Sequence, residues 1–228
     1  MYNGIKVLDV HAHPRSPSAA DAYLARLLGV NTPSPTPLAS GSSKQPGLTD
    51  DDFRQAAEPH VRYIDQLHID VQLLGPGPTR TMGFIEPHLI PSWCRHINEI
   101  IHKQVQLFPD RFVGAAQLPI LSDGPDLGNC IPELERCVSE FGFIAVYVSP
   151  DPAGRNTTPA MHEPYWFPLY EKCQAMGLPI VVHGSNNQDT RHQALGKGIL
   201  PSRFAPTRRP FVAFACESTA TFSQIRST

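Results

Sequence analysis

Three histidines lie at the ends of two apolar segments, in a pattern that indicates metal chemistry. His11 and His13 end a segment that begins with the largely apolar residues 5–10. His183 directly follows the apolar residues 179–182. Residues two apart in an extended backbone point to the same side, so His11 and His13 can direct two imidazoles at one point. If both segments are strands of one sheet, the three imidazoles can supply ligands on one side of a metal ion and leave its other coordination positions open.

The same residues also have a purely structural interpretation. Two surface histidines would give the same HxH pair, and a lone histidine at the end of a strand is more often structural than a ligand. The layout of an apolar run followed by histidine occurs twice, however, and this repetition favours a metal site. Neutral imidazole binds divalent metals, and such an ion would acidify a bound water or polarise a carboxylate or carbonyl oxygen. We expect zinc, with manganese or iron as alternatives.

Strand-like and helix-like segments must position these histidines, and they alternate along the chain. Short apolar runs rich in β-branched residues predict strands at residues 5–10, 71–74, 112–118, 143–148 and 179–182. Helical spacing and capping residues predict helices at residues 19–28, about 50–67, 91–107, 126–140 and 164–176. We expect Gly29 to end the first helix.

The regular alternation of strands and helices predicts βαβ units and an α/β fold with a parallel sheet. Strands that are apolar along nearly their whole length are typical of a sheet covered on both faces. A doubly wound open sheet and a (β/α)8 barrel agree equally with this periodicity. Both architectures place their active-site residues at the carboxyl ends of the strands, where the three histidines are predicted to lie.

The composition excludes several classes of function. The chain has 228 residues, of which 41% are hydrophobic and 18% charged, and its formal net charge is −2. It can therefore bury the core of one domain, and no excess charge attracts nucleic acid or an anionic membrane. We expect neither a membrane span nor a signal peptide. Five cysteines without CxxC spacing predict free thiols, which indicates a reducing compartment such as the cytoplasm.

Four ordered motifs resemble the amidohydrolase superfamily and, within it, the amidohydrolase-2 group. They are VLDVHAHP near the start, FPDRFVGAAQLPI at 108–120, PELERCVSEFGFIAVYVSPDPAG at 132–154 and PYWFPLYEKCQAMGLPIVVHGS at 164–185. The group includes aminocarboxymuconate-semialdehyde and γ-resorcylate decarboxylases and 4-oxalomesaconate hydratases. The middle of the resemblance is most similar to the hydratases.

The resemblance implies a (β/α)8 TIM-type barrel with one metal ion at the strand ends. Its metal ligands here would be His11, His13 and His183. Members with two metals carry a bridging lysine on the fourth strand, and the segment FIAVYVSP has none. Five βα units occupy about 185 residues, so we expect an incomplete barrel of about five to six units. Residues 1–193 are predicted to be the N-terminal part of one barrel domain, with a loop insertion at 14–48, and residues 194–228 a divergent tail.

The resemblance also implies a lyase that hydrates or decarboxylates a small carboxylic acid from the breakdown of aromatic compounds. A metal-dependent hydrolase and a non-catalytic truncated fragment are the alternatives. The acid/base histidine of the family's sixth strand has no counterpart here, so the catalytic residue is unassigned. The candidates for binding the substrate are Arg80, Arg15 and His192, because an arginine fork suits a carboxylate. Homologues of this type are commonly dimers, so a homodimer is a candidate assembly, although a truncated chain can lack the surface for it.

Overall fold

Five parallel strands, paired in the order in which they occur along the chain, form the sheet of the part of the chain that the structure describes. The computed structural model describes residues 3–35, 48–77, 85–121, 124–153 and 157–183. The strands are β1 (Leu8–Ala12), β2 (Val71–Leu74), β3 (Phe112–Gln117), β4 (Ala145–Val148) and β5 (Ile180–Val182). Each strand is parallel to the next, and the sheet order is β1-β2-β3-β4-β5.

This strand order distinguishes between the two architectures that the periodicity left open. A doubly wound sheet reverses its strand order at a switch point, whereas a barrel adds each strand beside the previous one. The sheet of the described residues contains no such reversal. The expected fold class is therefore confirmed, because these residues form an incomplete (β/α) barrel of the TIM type.

Helices connect the strands and cover the outer face of the sheet. The α-helices of the described ranges are α1 (Ala22–Val30), α2 (Asp50–Gln66), α3 (Ile90–Leu107), α4 (Ile131–Ser139) and α5 (Phe167–Met176). A capping box begins α2, in which the Thr49 and Asp52 side chains accept each other's backbone N–H. Helix α5 ends at Gly177, which adopts the left-handed conformation with a φ of 66°.

The first strand and the first helix differ from the predicted ranges. β1 begins at Leu8, which pairs with Val71, and it extends as far as Ala12. The prediction that Gly29 ends the first helix is wrong, since α1 continues to Val30. The helix ends at Asn31 instead, because this residue adopts the left-handed conformation with a φ of 52°.

The fourth helix begins later than predicted because a local turn competes with it. The Asp126 carboxylate accepts a hydrogen bond of 2.7 Å from the backbone N–H of Gly128, which stabilises a turn at the predicted start. A short 3-10 turn at Gly128–Cys130 follows. Pro132 then occupies the first turn of α4, where the helix forms no hydrogen bond that would need the N–H that proline lacks.

Two apolar clusters lie on the two faces of the sheet. The outer cluster packs strand residues such as Leu74 and Phe112 against the helices. The inner cluster fills the concave side with Leu73, Ala115, Ala145, Tyr147 and Val181. Successive strand residues alternate between these clusters, as the pleat of a strand requires. The concave side leads directly to the carboxyl ends of the strands.

Four of the cysteines lie in the described residues, and all four are free and buried, namely Cys94, Cys130, Cys137 and Cys173. Burial raises the pKa of Cys130 to about 12 and that of Cys173 to about 11. These thiols therefore stay protonated and pack as small hydrophobic groups. Within the described ranges no helix is long and apolar enough to cross a membrane. The predicted tail at 194–228 lies outside them.

A close approach between β3 and an aromatic ring gives a test of this packing. The Phe143 side chain is buried, and a Cβ added at Gly114 would meet its ring at 2.3 Å. By contrast, a Cβ added at Gly29 in α1 would meet nothing within 4 Å. The two glycines therefore predict opposite effects of the same substitution.

We expect Gly114→Ala to lower the free energy of unfolding by about 1–3 kcal/mol, because overpacking forces the ring or the strand to shift. Gly29→Ala should raise it by about 0.5–1 kcal/mol, because glycine inside a helix is less favourable than alanine. Urea denaturation followed by circular dichroism measures both changes. A Gly114→Ala variant as stable as the wild type would contradict the packing of Phe143 on β3.

Candidate metal centre

The three histidines singled out in the sequence lie together at the carboxyl end of the sheet. His11 lies in β1, His13 directly follows that strand, and His183 directly follows β5. The ring centroids of His11 and His13 are 4.9 Å apart, and that of His183 lies 5.3 Å and 5.5 Å from them, respectively. One ligand atom from each residue lies within 4.8 Å of the other two. Three imidazoles at this spacing can bind one metal ion.

Curvature of the sheet brings the first and last of these strands together. In a flat sheet, four strand spacings of about 4.8 Å would separate β1 from β5 by about 19 Å. The ring centroids of His11 and His183 are only 5.3 Å apart, so the sheet curls as a barrel does. A hydrogen bond of 2.8 Å from the His183 N–H to the Val148 carbonyl fixes the end of β5 to β4.

The surroundings of His13 favour its neutral form and select one tautomer. Its Nδ1 lies 3.3 Å from the carbonyl oxygen of Gly75. A carbonyl can only accept, so the proton lies on Nδ1 and the lone pair on Nε2. The pKa of His13 is lowered to about 4, mainly by burial. The contact with Gly75 raises this pKa, whereas the charges of His11, His183 and Arg15 lower it further. The ring is therefore neutral at pH 7.

The backbone and side chain of His11 depend on Asp9. The His11 N–H donates a hydrogen bond of 3.0 Å to Asp9 Oδ1, while Asp9 Oδ2 accepts one of 2.8 Å from Gln72 Nε2 on β2. Burial lowers the pKa of the His11 ring, and His183 lowers it further, whereas Asp9 raises it. Asp9 thus links the histidine-bearing end of β1 to the neighbouring strand.

Tyr147 of β4 forms the floor of the histidine cluster. Its ring centroid lies 6.4 Å from that of His11 and 5.8 Å from that of His183. Its hydroxyl donates a hydrogen bond of 2.9 Å to the Val10 carbonyl, and burial raises its pKa well above the usual value. The ring fits here only because residue 75 is glycine, since an added Cβ would meet it at 2.5 Å.

Of the predicted substrate-binding residues, only Arg15 lies in the described part of the chain. Its side chain is exposed, and its backbone N–H donates a hydrogen bond of 2.7 Å to Gln104 Oε1 on α3. Its positive charge contributes to the lowered pKa values of His13 and His60. Arg80 and His192 lie outside the described residues, so their roles stay predictions.

Sequence reasoning missed the groups that surround the histidines, namely Asp9, Gln72, Gly75 and Tyr147. Asp9 and Tyr147 are polar residues within largely apolar strand segments, and this is the signal that could have found them. Gly75 begins the sequence GPGP, which directly follows the apolar run 71–74. Its close approach to the Tyr147 ring depends on how the curled sheet brings the end of β2 near β4, and that information is absent from local sequence.

The fold and the site together define an incomplete parallel (β/α) barrel with a histidine cluster at the carboxyl ends of its first and fifth strands. The chain belongs to the amidohydrolase family, whose sequence profile matches residues 8–220. The resemblance found in the sequence motifs is thus confirmed. The profile continues into the segment 194–228, whose structure lies outside the described residues.

Hydratases and decarboxylases are among the similar proteins. A 2-keto-4-carboxy-3-hexenedioate hydratase of Sphingobium sp. is 31% identical over 154 residues, or 66% of this chain and 45% of the hydratase. The structure of a 4-oxalomesaconate hydratase from Rhodopseudomonas palustris is 31% identical with a TM-score of 0.65, and the match covers 78% of this chain and 52% of that one.

A more distant structure shares the fold alone. It is a dihydroxybenzoic acid decarboxylase from Polaromonas sp. with bound manganese and the inhibitor 2-nitroresorcinol. The identity is 19% and the TM-score 0.54, with 85% of this chain and 53% of that chain covered. This chain therefore spans about half the length of the proteins that it matches.

Proposed function

We propose that this chain is, or is part of, a metal-dependent hydratase that acts on a small conjugated keto acid from the breakdown of aromatic compounds. The observation that carries the proposal is the cluster of His11, His13 and His183 at the carboxyl end of the sheet. Two hydratases with 31% identity support the reaction class. Because the chain spans about half of their length, the activity of the whole protein is part of the proposal.

The proposed ligands are the side chains of His11, His13 and His183. Their donor set fits a divalent cation, because three imidazole nitrogens within 4.8 Å of one another can converge on one ion. An all-imidazole set suits zinc better than manganese, which prefers oxygen ligands. Zinc is therefore the first choice, and manganese, which is bound in a decarboxylase structure of the same fold, is the second. A bound cation would supply Lewis acidity to oxygen atoms of the substrate or of water.

The residues around the proposed ligands have separate roles. The Gly75 carbonyl holds the His13 ring in one tautomer through the 3.3 Å contact, which keeps the Nε2 lone pair available. The buried Tyr147 hydroxyl stays protonated and acts as a donor to the Val10 carbonyl. The exposed guanidinium of Arg15, two residues after His13, is proposed to bind a substrate carboxylate.

A decarboxylase is the second candidate, and the observation that favours it is an identity of 30% over 129 residues with a γ-resorcylate decarboxylase of Polaromonas sp.. Both reactions act on carboxylic acids, and both use electrostatic stabilisation of negative charge beside a cation. They differ in their products, because hydration removes a conjugated double bond whereas decarboxylation releases carbon dioxide.

We expect the purified chain to bind close to one zinc or manganese ion. His183→Ala should weaken binding by on the order of 100-fold or more, since losing even an outer partner of a ligand typically costs 10- to 100-fold. His162→Ala is the matched control, because His162 is exposed and belongs to no cluster of potential ligands among the described residues. Competition with a chromophoric chelator measures the affinities. Equal affinities in all three proteins would place the metal elsewhere.

We expect the metal-loaded chain to hydrate 2-keto-4-carboxy-3-hexenedioate, with a loss of ultraviolet absorbance as the conjugation disappears and no release of carbon dioxide. Dihydroxybenzoate, tested in parallel with carbon dioxide detection, examines the decarboxylase alternative. His11→Ala should abolish either activity while leaving the circular dichroism spectrum unchanged. Stoichiometric metal without turnover of either substrate would contradict the proposed reaction and favour a non-catalytic metal-binding chain.

A further inference from the structure

The end of β1 contains a β-bulge where it carries the histidines. Asp9 pairs with Gln72 and Ala12 pairs with Leu74, so two residues of β1 lie opposite the single residue Leu73. A bulge of this kind inserts one residue and re-aims the side chains that follow it. The two residues of β1 that form the bulge are Val10 and His11.

This bulge determines which face of the sheet the histidines occupy. Ala12 and Leu74 belong to the outer cluster, between the sheet and the helices, whereas Leu73 and Tyr147 belong to the inner cluster. With regular pairing, His11 would stand beside Leu74 and face the helices, because a shift of one residue exchanges the two faces of a strand. The bulge instead leaves His11 beside the ring of Tyr147, on the concave side.

Two side chains hold the peptide group at the centre of the bulge. The Val10 carbonyl accepts a hydrogen bond of 2.9 Å from the Tyr147 hydroxyl, and the His11 N–H donates one of 3.0 Å to Asp9 Oδ1. These two atoms belong to the same peptide unit. Tyr147 of β4 therefore fixes the orientation of this peptide group from one side. The Asp9 carboxylate, which also accepts a hydrogen bond from Gln72 of β2, fixes it from the other.

The Tyr147 ring is itself held in place, so it can act as a fixed support. It is 3% exposed, lies in the inner cluster and packs so closely on Gly75 that a Cβ there would meet it at 2.5 Å. A hydroxyl on a ring with so little freedom places its hydrogen bond in a defined position. Asp9, Tyr147 and Gly75 thus form one support beneath the histidine cluster.

We propose that Tyr147 and Asp9 are positioning residues that stabilise the bulge at Val10 and His11 and thereby direct His11 and His13 towards His183. They act through the backbone and not as ligands or acid/base groups. This inference rests on the proposed metal site for its functional meaning, while the bulge and its two hydrogen bonds can be tested independently.

Metal affinity is the first test, and Tyr147→Phe is the first variant, because it keeps the ring and removes only the hydroxyl. We expect zinc binding to weaken about fivefold, since a hydrogen bond contributes about 1 kcal/mol and 1.4 kcal/mol corresponds to tenfold. Tyr170→Phe is the matched control: its hydroxyl donates a hydrogen bond of 2.7 Å to the Met161 carbonyl, away from the histidines. It should affect stability but leave the zinc affinity unchanged.

Two substitutions of Asp9 distinguish the effect of its hydrogen bond to the His11 N–H from the effect of its charge. Asp9→Ala removes the acceptor of the His11 N–H, and we expect an affinity loss of tenfold or more, because hydrogen bonds to charged groups contribute about 1.5–3 kcal/mol. Asp9→Asn keeps an acceptor oxygen for the His11 N–H. Its amide nitrogen replaces Oδ2, and the Gln72 side-chain amide can rotate to accept from it instead of donating. This variant should restore most of the affinity. Equal losses in the alanine and asparagine variants would overturn positioning by Asp9 and indicate an effect of its charge.

The amide resonance of His11 in the metal-free protein is the second test. Tyr147→Phe and Asp9→Ala should both shift this 1H–15N signal, because each removes a partner of its peptide group, whereas Tyr170→Phe should not. An unchanged signal and an unchanged affinity in Tyr147→Phe would overturn the proposal. If the wild type bound no metal, the proposed function would fail, and the amide signal would still decide whether Tyr147 and Asp9 hold the bulge.

Discussion

Parallel pairing of each strand with the next one in sequence is the constraint on which the rest of the structure depends. A twisted sheet that grows in one direction curls, and this curl brings β5 towards β1. The helices cover the convex face, where Leu74 and Phe112 are buried. The concave face narrows to a small apolar cluster below the strand ends. Without the curl, His183 would lie far from the two histidines of β1.

Backbone irregularity at the end of β1 converts this general architecture into a specific site. A regular strand would have directed His11 towards the helices, because its neighbours on β2 alternate between the outer and inner clusters. The bulge keeps both histidines on the concave side, and polar side chains complete the hydrogen bonds of the extra peptide. The site thus combines a rigid sheet with one local departure from its regularity, as functional sites commonly do.

Much of this arrangement could be predicted from the sequence because its signals are local. The apolar runs located all five strands, and the HxH pair and His183 were recognised from their positions after such runs. The predicted end of α1 was wrong because Gly29 meets no neighbour and Asn31 adopts the left-handed conformation. Gly75 and Tyr147 could not be connected from sequence, since their contact joins β2 to β4 across the inner cluster. The bulge was likewise hidden, because HxH spacing is the same on either face of a strand.

The order of the strands has a further consequence for how the chain reaches its native state. Each βα unit docks beside the unit made just before it, so the sheet can grow from its N-terminal end as synthesis proceeds. The histidines of β1 are present from the beginning, whereas His183 arrives only with the fifth strand. The three histidines consequently come together only after β5 has joined the curled sheet. A cation that required all three rings would therefore bind late in assembly, and it would stabilise the fully curled form over every shorter intermediate.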